Sequence, residues 1–311
     1  MNQIGRMKKI VIVSVIAVAI GIGASFLTDL RAPDSDVSTQ NPRTIFWRHI
    51  HGLGIDPVDR TVLYIATHGD FYQSVNGGAP IKVDEQRADY MAFNAPYSRG
   101  TPLYASGHPA TGGNTGLIKS TDGGKTWQQV ATILEPPVDF HAMSVSKSDS
   151  NVIIGYDSAG RGLFKTNDAG RTWESLPIPD YITTLAIDPN DVNVVFAGFA
   201  GTQKGIAKST DGGTSWMMLD GYNGLTIFTL YFDDNGILYT HTSESGLAKS
   251  IDMGQSWQKI NKPDLTIMSI AADPYNKIIY VAGYSSDGFQ EAYRSLDDGN
   301  NWNLIATNKE L

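Results

Sequence analysis

From about residue 44 onward, short apolar and β-branched runs alternate with clusters of Gly, Asp, Asn and Pro. Runs this short, bounded by turn formers, read as strands rather than helices. They come in pairs separated by a tight turn: 183–188 with 194–198, 226–233 with 237–240, and 267–273 with 278–283. Each pair is followed by a third short run ending in a Gly-containing turn, then by a fourth closed by an aliphatic residue. Four antiparallel strands in roughly 43 residues is the dimension of one blade of a β-propeller. One apolar segment breaks this rhythm. Residues 10–27 are uncharged and mostly apolar, and at 1.5 Å rise they make a helix of about 27 Å, close to a bilayer core.

The punctuation between the third and fourth runs is a repeat. Ser120-Thr-Asp122-Gly-Gly124-Lys-Thr126-Trp127 returns at Asp168 with Trp173, at Asp211 with Trp216, at Asp252 with Trp257 and at Asp297 with Trp302. Successive tryptophans lie 46, 43, 41 and 45 residues apart, and five of the chain's six tryptophans fill this one position. The carboxylate suits capture of backbone N–H groups inside a turn, the glycine two residues on supplies positive φ, and the indole packs between sheets. A degenerate copy, Ser74-Val-Asn76-Gly-Gly78, has Ile81 where tryptophan belongs. The count is therefore six blades over 44–311, in an all-β, six-bladed propeller of four-stranded antiparallel blades.

This repeat resembles the Asp-box, or BNR repeat, of sialidases, sortilin-type receptors and photosystem-assembly-factor propellers. It is also similar to small prokaryotic glycosyl-hydrolase-like propellers. The resemblance implies that Asp122, Asp168, Asp211, Asp252, Asp297 and their tryptophans are structural, on the propeller face away from ligand. It implies a ligand face where first strands begin and second strands end, around the central channel. In blades one to six the repeat puts His51, Asp89, His141, Thr183, Phe228 and Met268 at the first of these places. It puts His68, His108, Asp157, Ala200, Ser243 and Tyr284 at the second.

That ring is lopsided. Four of the six histidines fall on it, all in blades one to three. His49 lies two residues before His51, on the same strand face, and Asp139 bears that relation to His141. His241 sits about two residues off the ring. The candidate metal ligands are thus His49, His51, His68, His108, His141, Asp89 and Asp157, suited to Zn, Cu, Fe or Mn. A metal-free polar pocket and a hydrated channel lining are the other readings. A glycoside hydrolase needs two carboxylates flanking the bond, for which Asp89 and Asp157 are the weak candidates. A sialidase does not fit. The Arg-Ile-Pro motif is missing, and of ten arginines Arg6, Arg31 and Arg43 lie outside the blades.

Composition narrows this further. The chain has 311 residues, a formal net charge of −8 and no cysteine. Disulfides, thiolate metal sites and thiol nucleophiles are excluded. Basic residues do not cluster beyond the first ten positions, so nucleic acid is not an expected partner. Arg6, Lys8 and Lys9 precede the apolar segment while Asp29, Asp34 and Asp36 follow it, which puts residues 1–9 in the cytoplasm. Residues 10–27 then form a transmembrane anchor, 28–43 a linker, and the propeller sits at the membrane on the extracytoplasmic side, with a protein or glycan ligand at its face. The competing reading is a cleaved signal peptide ending near Ile22-Gly23-Ala24, which would secrete the propeller.

Overall fold

The computed structural model describes residues 45, 47–95, 100–242 and 244–309. The expected anchor, the linker and the ring position Ser243 lie outside them. Among the described residues no helix is long and apolar enough to cross a membrane.

Among the described residues, twenty-four strands form six sheets, each a meander of four strands consecutive in the chain. The six innermost strands are Ile50–Ile55, Ala88–Asn94, Phe140–Val145, Ile182–Asp188, Ile227–Phe232 and Leu265–Asp273. Each packs against the innermost strand of the blade before and the blade after, and the sixth returns to the first. The circle closes in chain order, with every blade complete in itself.

Hydrophobic clusters lie at the seams. Leu53, Ile65 and Tyr72 of blade one pack with Tyr280, Ala292 and Ile305 of blade six. Tyr64 and Phe71 of blade one pack with Tyr90 and Phe93 of blade two. Innermost strands of neighbouring blades belong to separate sheets. At four seams a side chain bridges them: Ser269 Oγ accepts from Leu53 N, Asn94 Oδ1 from Val145 N, Ser144 Oγ from Ile187 N and Thr184 Oγ1 from Leu230 N, at 2.9–3.1 Å.

The repeated turn is built the same way five times. In blade two, Asp122 Oδ1 accepts from Thr126 N and Lys125 N, its Oδ2 from Thr126 Oγ1, and Ser120 Oγ accepts from Gly124 N. The indole Nε1 of Trp127 donates to Gly124 O at 3.1 Å. These donors hold Asp122, Asp168, Asp211 and Asp252 at about 2. The turn glycine also fixes blade spacing. With φ near 90°, Gly124 and Gly170 lie where a Cβ would strike Phe71 and Leu117 of the preceding blade.

The last seam carries an extra tie. Trp47, only 3 % exposed, packs edge-on against Tyr72 and donates to Gln290 O of blade six. Gln290 Oε1 in turn accepts from Ile50 N at 2.9 Å, and Asn308 Nδ2 donates to Trp47 O. Gln290→Ala strands a buried N–H, so a loss of about 2 kcal/mol is expected as a lowered urea midpoint. An unchanged midpoint would mean that this tie does not hold the circle shut.

Candidate functional site

In five blades the innermost strand carries a β-bulge, always at the ring position. The strand register skips His51, His141, Thr183, Phe228 and Met268 in turn. A bulge re-aims a side chain that regular pleating would place elsewhere. Blade two departs from this. There Asp89 pairs directly with His108, and the irregularity falls at Ala92 and Phe93, with Ala92 at φ 46°. The bulges gather His51 and His141 on one side of a single channel whose other side carries Thr183, Phe228 and Met268.

The His/Asp half resolves into two groups, each with two imidazoles around one carboxylate. Within each, the ligand atoms lie within 4.8 Å of one another. The first group is His51, His68 and Asp89, which spans the seam between blades one and two. His68 Nδ1 meets Asp89 Oδ2 at 2.8 Å in good hydrogen-bond geometry. His51 Nε2 approaches Asp89 Oδ1 to the same 2.8 Å, but without hydrogen-bond alignment. Neither of these two buried atoms has another hydrogen-bond partner among the described residues. His49 stands beside the group, its ring centroid 6.0 Å from those of His51, His68 and Tyr284.

The second group is His108, Asp139 and His141, across the seam between blades two and three. Asp139 Oδ2 lies 2.9 Å from His141 Nε2 and 3.3 Å from His108 Nε2, and accepts from Ser158 Oγ at 3.0 Å. His108 Nδ1 bonds Gly113 O at 3.0 Å, so both ring nitrogens of His108 face acceptors.

Burial and neighbouring charge shift Asp89, His49 and His108. Burial alone would raise the Asp89 carboxyl, but the His51 and His68 imidazoles outweigh it and hold it well below the usual carboxylate range. Burial, with His51 and His68 nearby, lowers His49 from its ordinary value. Neutral imidazole and ionised carboxylate are the ligating forms, and His49 and Asp89 have them at neutral pH. The hydrogen bond to Asp139 outweighs burial at His108 and raises it to about 9. The second group therefore holds a proton at neutral pH that a metal would have to displace.

Asp157, expected beside the histidines, is engaged elsewhere. It is fully buried, and both its oxygens take bonds from the Arg161 side chain, at 2.8 and 2.9 Å, with Oδ1 also accepting from Asp139 N. Arg161 reaches on to Pro136 O and Pro137 O, so this carboxylate anchors a rim loop. Asp139 stands where Asp157 was expected. Its signal was the two-residue spacing to His141. His241 is 1 % exposed and stacks on Phe228 with centroids 5.6 Å apart.

The far end of the channel, on the side of the repeated turns, is crossed by ion pairs. Lys147 Nζ lies 3.0 Å from Asp234 Oδ1 and bonds Phe232 O at 2.7 Å. Arg60 reaches Asp234 Oδ2 at 2.6 Å and Asp273 Oδ1 at 3.4 Å. Four blades thus tie together beneath the channel.

Comparison with known proteins agrees with this architecture. The family model of sortilin, neurotensin receptor 3, matches residues 115–245. The GH74 enzyme of Niastella koreensis superposes with a TM-score of 0.64 at 19 % identity, over 85 % of this chain and 46 % of its own. A gluconolactonase of Xanthomonas campestris gives 0.58 at 14 %, over 78 % and 84 %. YCF48 bound to D1 peptide gives 0.50 at 15 %, over 86 % and 84 %. The likeness to these solved structures is one of fold, that of a β-propeller. The chain spans about half the length of the GH74 enzymes it matches. No curated protein sequence matches it.

Proposed function

We propose that this propeller is a metal-binding module, with a transition-metal ion held at the channel mouth by His51, His68 and Asp89 and flanked by His49. The observation that carries the reading is the His51–Asp89 approach. His51 Nε2 and Asp89 Oδ1 are buried 2.8 Å apart, out of hydrogen-bond alignment and with no other partner among the described residues, so one ion can take both as ligands. An ion there would give each of the two atoms the aligned partner it lacks. Two imidazoles and one carboxylate suit Zn²⁺, Cu²⁺, Fe²⁺ or Mn²⁺ and leave coordination positions open. The His108 group is the second candidate, with a proton on His108 to displace.

The same reading extends to place and ligand. An uncleaved anchor over residues 10–27 would display this mouth outside the cell, and its positive flank supports that orientation. YCF48 is solved with a D1 peptide and one GH74 match, from Xanthomonas campestris, is named a xyloglucanase, so a peptide or glycan at this face accords with the fold. A glycosidase needs a second free carboxylate, and Asp157 is committed to Arg161.

Metal analysis and titration of the metal-stripped full-length protein test the proposal. One ion per chain is expected, with affinity falling at least about a hundredfold in His51→Ala and in Asp89→Asn. Thr183→Ala, at the equivalent ring position of blade four, should leave it unchanged. If the protein takes up no ion, or if the His51 and Asp89 variants bind as well as wild type, the metal reading is wrong.

A further inference from the structure

We propose that the channel mouth takes a small molecule that chelates the metal through a pair of oxygens and lays an apolar body across Phe228 and Met268 toward Tyr284. This rests on the metal reading above and adds the chemical class of the ligand.

The inference comes from what faces the His/Asp half. With six blades in closed order, each ring residue has a counterpart three blades on. His51 faces Thr183, Asp89 faces Phe228, and His141 faces Met268. The bulges that aim His51 and His141 at the channel recur at Thr183, Phe228 and Met268, so these side chains are presented to the same space. The apolar half is open to solvent. Met268 is 39 % exposed and Tyr284 36 %, so both side chains reach solvent. It also adjoins the residue that flanks the metal group, since the Tyr284 ring stands 6.0 Å from that of His49.

Exposed apolar side chains facing a polar cluster across one pocket are the arrangement of a small-molecule site, in which a few polar groups fix orientation and apolar surface supplies affinity. Three protein ligands leave the ion free to accept two donor atoms from outside. No carboxylate stands opposite Asp89 at the ring, so the far wall offers contact area rather than a second acid or base. The ion pairs of Lys147 and Arg60 lie across the distal end, which makes the mouth the route of entry.

Two hydroxamates with the same chelating head separate the head from the body. The full-length protein is loaded with Co²⁺, whose visible absorption reports a change of ligands, and titrated with acetohydroxamate and with benzohydroxamate. Benzohydroxamate is expected to bind at least about tenfold more tightly. Phe228→Ala with Met268→Ala should erase that advantage while cobalt affinity stays as in wild type. Because Phe228 also stacks on buried His241, Met268→Asn alone is the second variant, made at an exposed side chain, and should reduce the advantage by about threefold. Equal binding of the two hydroxamates to the cobalt protein, or an advantage that survives these variants, overturns the ligand class and leaves the metal centre standing. Benzohydroxamate binding equally well without cobalt also overturns it. Failure of cobalt itself to bind removes both readings together.

Discussion

Gly107→Ala is expected to destabilise the propeller by about 3 kcal/mol and to weaken metal binding at the same time. Gly107 precedes His108 and pairs with Tyr90 across blade two, with φ at +127°. That φ lies in a region side chains rarely adopt. A Cβ there would also sit 2.2 Å from the Asp89 carbonyl oxygen and 3.2 Å from Met91 N, which are backbone atoms and cannot swing aside. Relief requires the Asp89 segment to move, and Asp89 carries the carboxylate shared by His51 and His68. The control is Gly288→Ala. Gly288 has φ +85° but nothing within 4 Å of the added Cβ, so it bears only the left-handed strain, about 1 kcal/mol, with no effect on metal. Urea midpoints at unchanged m-value read the stability, and titration well below the unfolding transition reads the site. Should Gly107→Ala match Gly288→Ala on both counts, the glycine does not set the position of Asp89.

The sequence made the blades legible because each carries its own punctuation. The Asp, Gly and Trp of the repeated turn are chemical necessities of that turn, so their spacing reported the blade count directly. The residue between Asp and Gly was less readable. It also takes a left-handed conformation, at Ala169, Met253 and Asp298 with φ near 60°, and such residues do not announce positive φ. The lopsided mouth was legible too, since His51, His68, Asp89, His108 and His141 break the repeat at equivalent positions. Which carboxylate serves which imidazole was not. Asp139 and Asp157 both stand near the rim, and the choice between them is made by Arg161, four residues past Asp157, whose guanidinium takes both carboxylate oxygens. The bulges that turn the ring side chains inward leave no mark in composition. Blade two, which lacks the bulge at its ring position, still places Asp89 in the first group, by a backbone bridge to His68 across the seam.

Acid should unfold the wild type more readily than a variant lacking His241. This histidine is 1 % exposed, and neither ring nitrogen has an aligned hydrogen-bond partner among the described residues. Burial, reinforced by Lys262, pushes its pKa down to about 4, against a weak opposing effect from the Ile267 backbone. Released by unfolding, the imidazole titrates near its ordinary 6.5. Between those two values the unfolded chain binds a proton that the folded chain refuses, so stability rises with pH through this window and is lost as pH falls from about 6.5 toward 4. At about 1.4 kcal/mol for each unit between the two pKa values, the loss from this one side chain is about 3 kcal/mol. His241→Phe keeps a ring against Phe228 and removes the titration. Other groups contribute to the pH profile of both proteins, His49 among them with the same sign, so the quantity that decides is the difference between them. That difference should be near constant above pH 7, grow in favour of the variant as pH falls, and level off below about 4. A pH-independent difference across the window would show that His241 accepts its proton in the folded state as easily as in water. Its stacking on Phe228 would then have to be reconsidered, and with it the rigidity of the apolar half of the mouth.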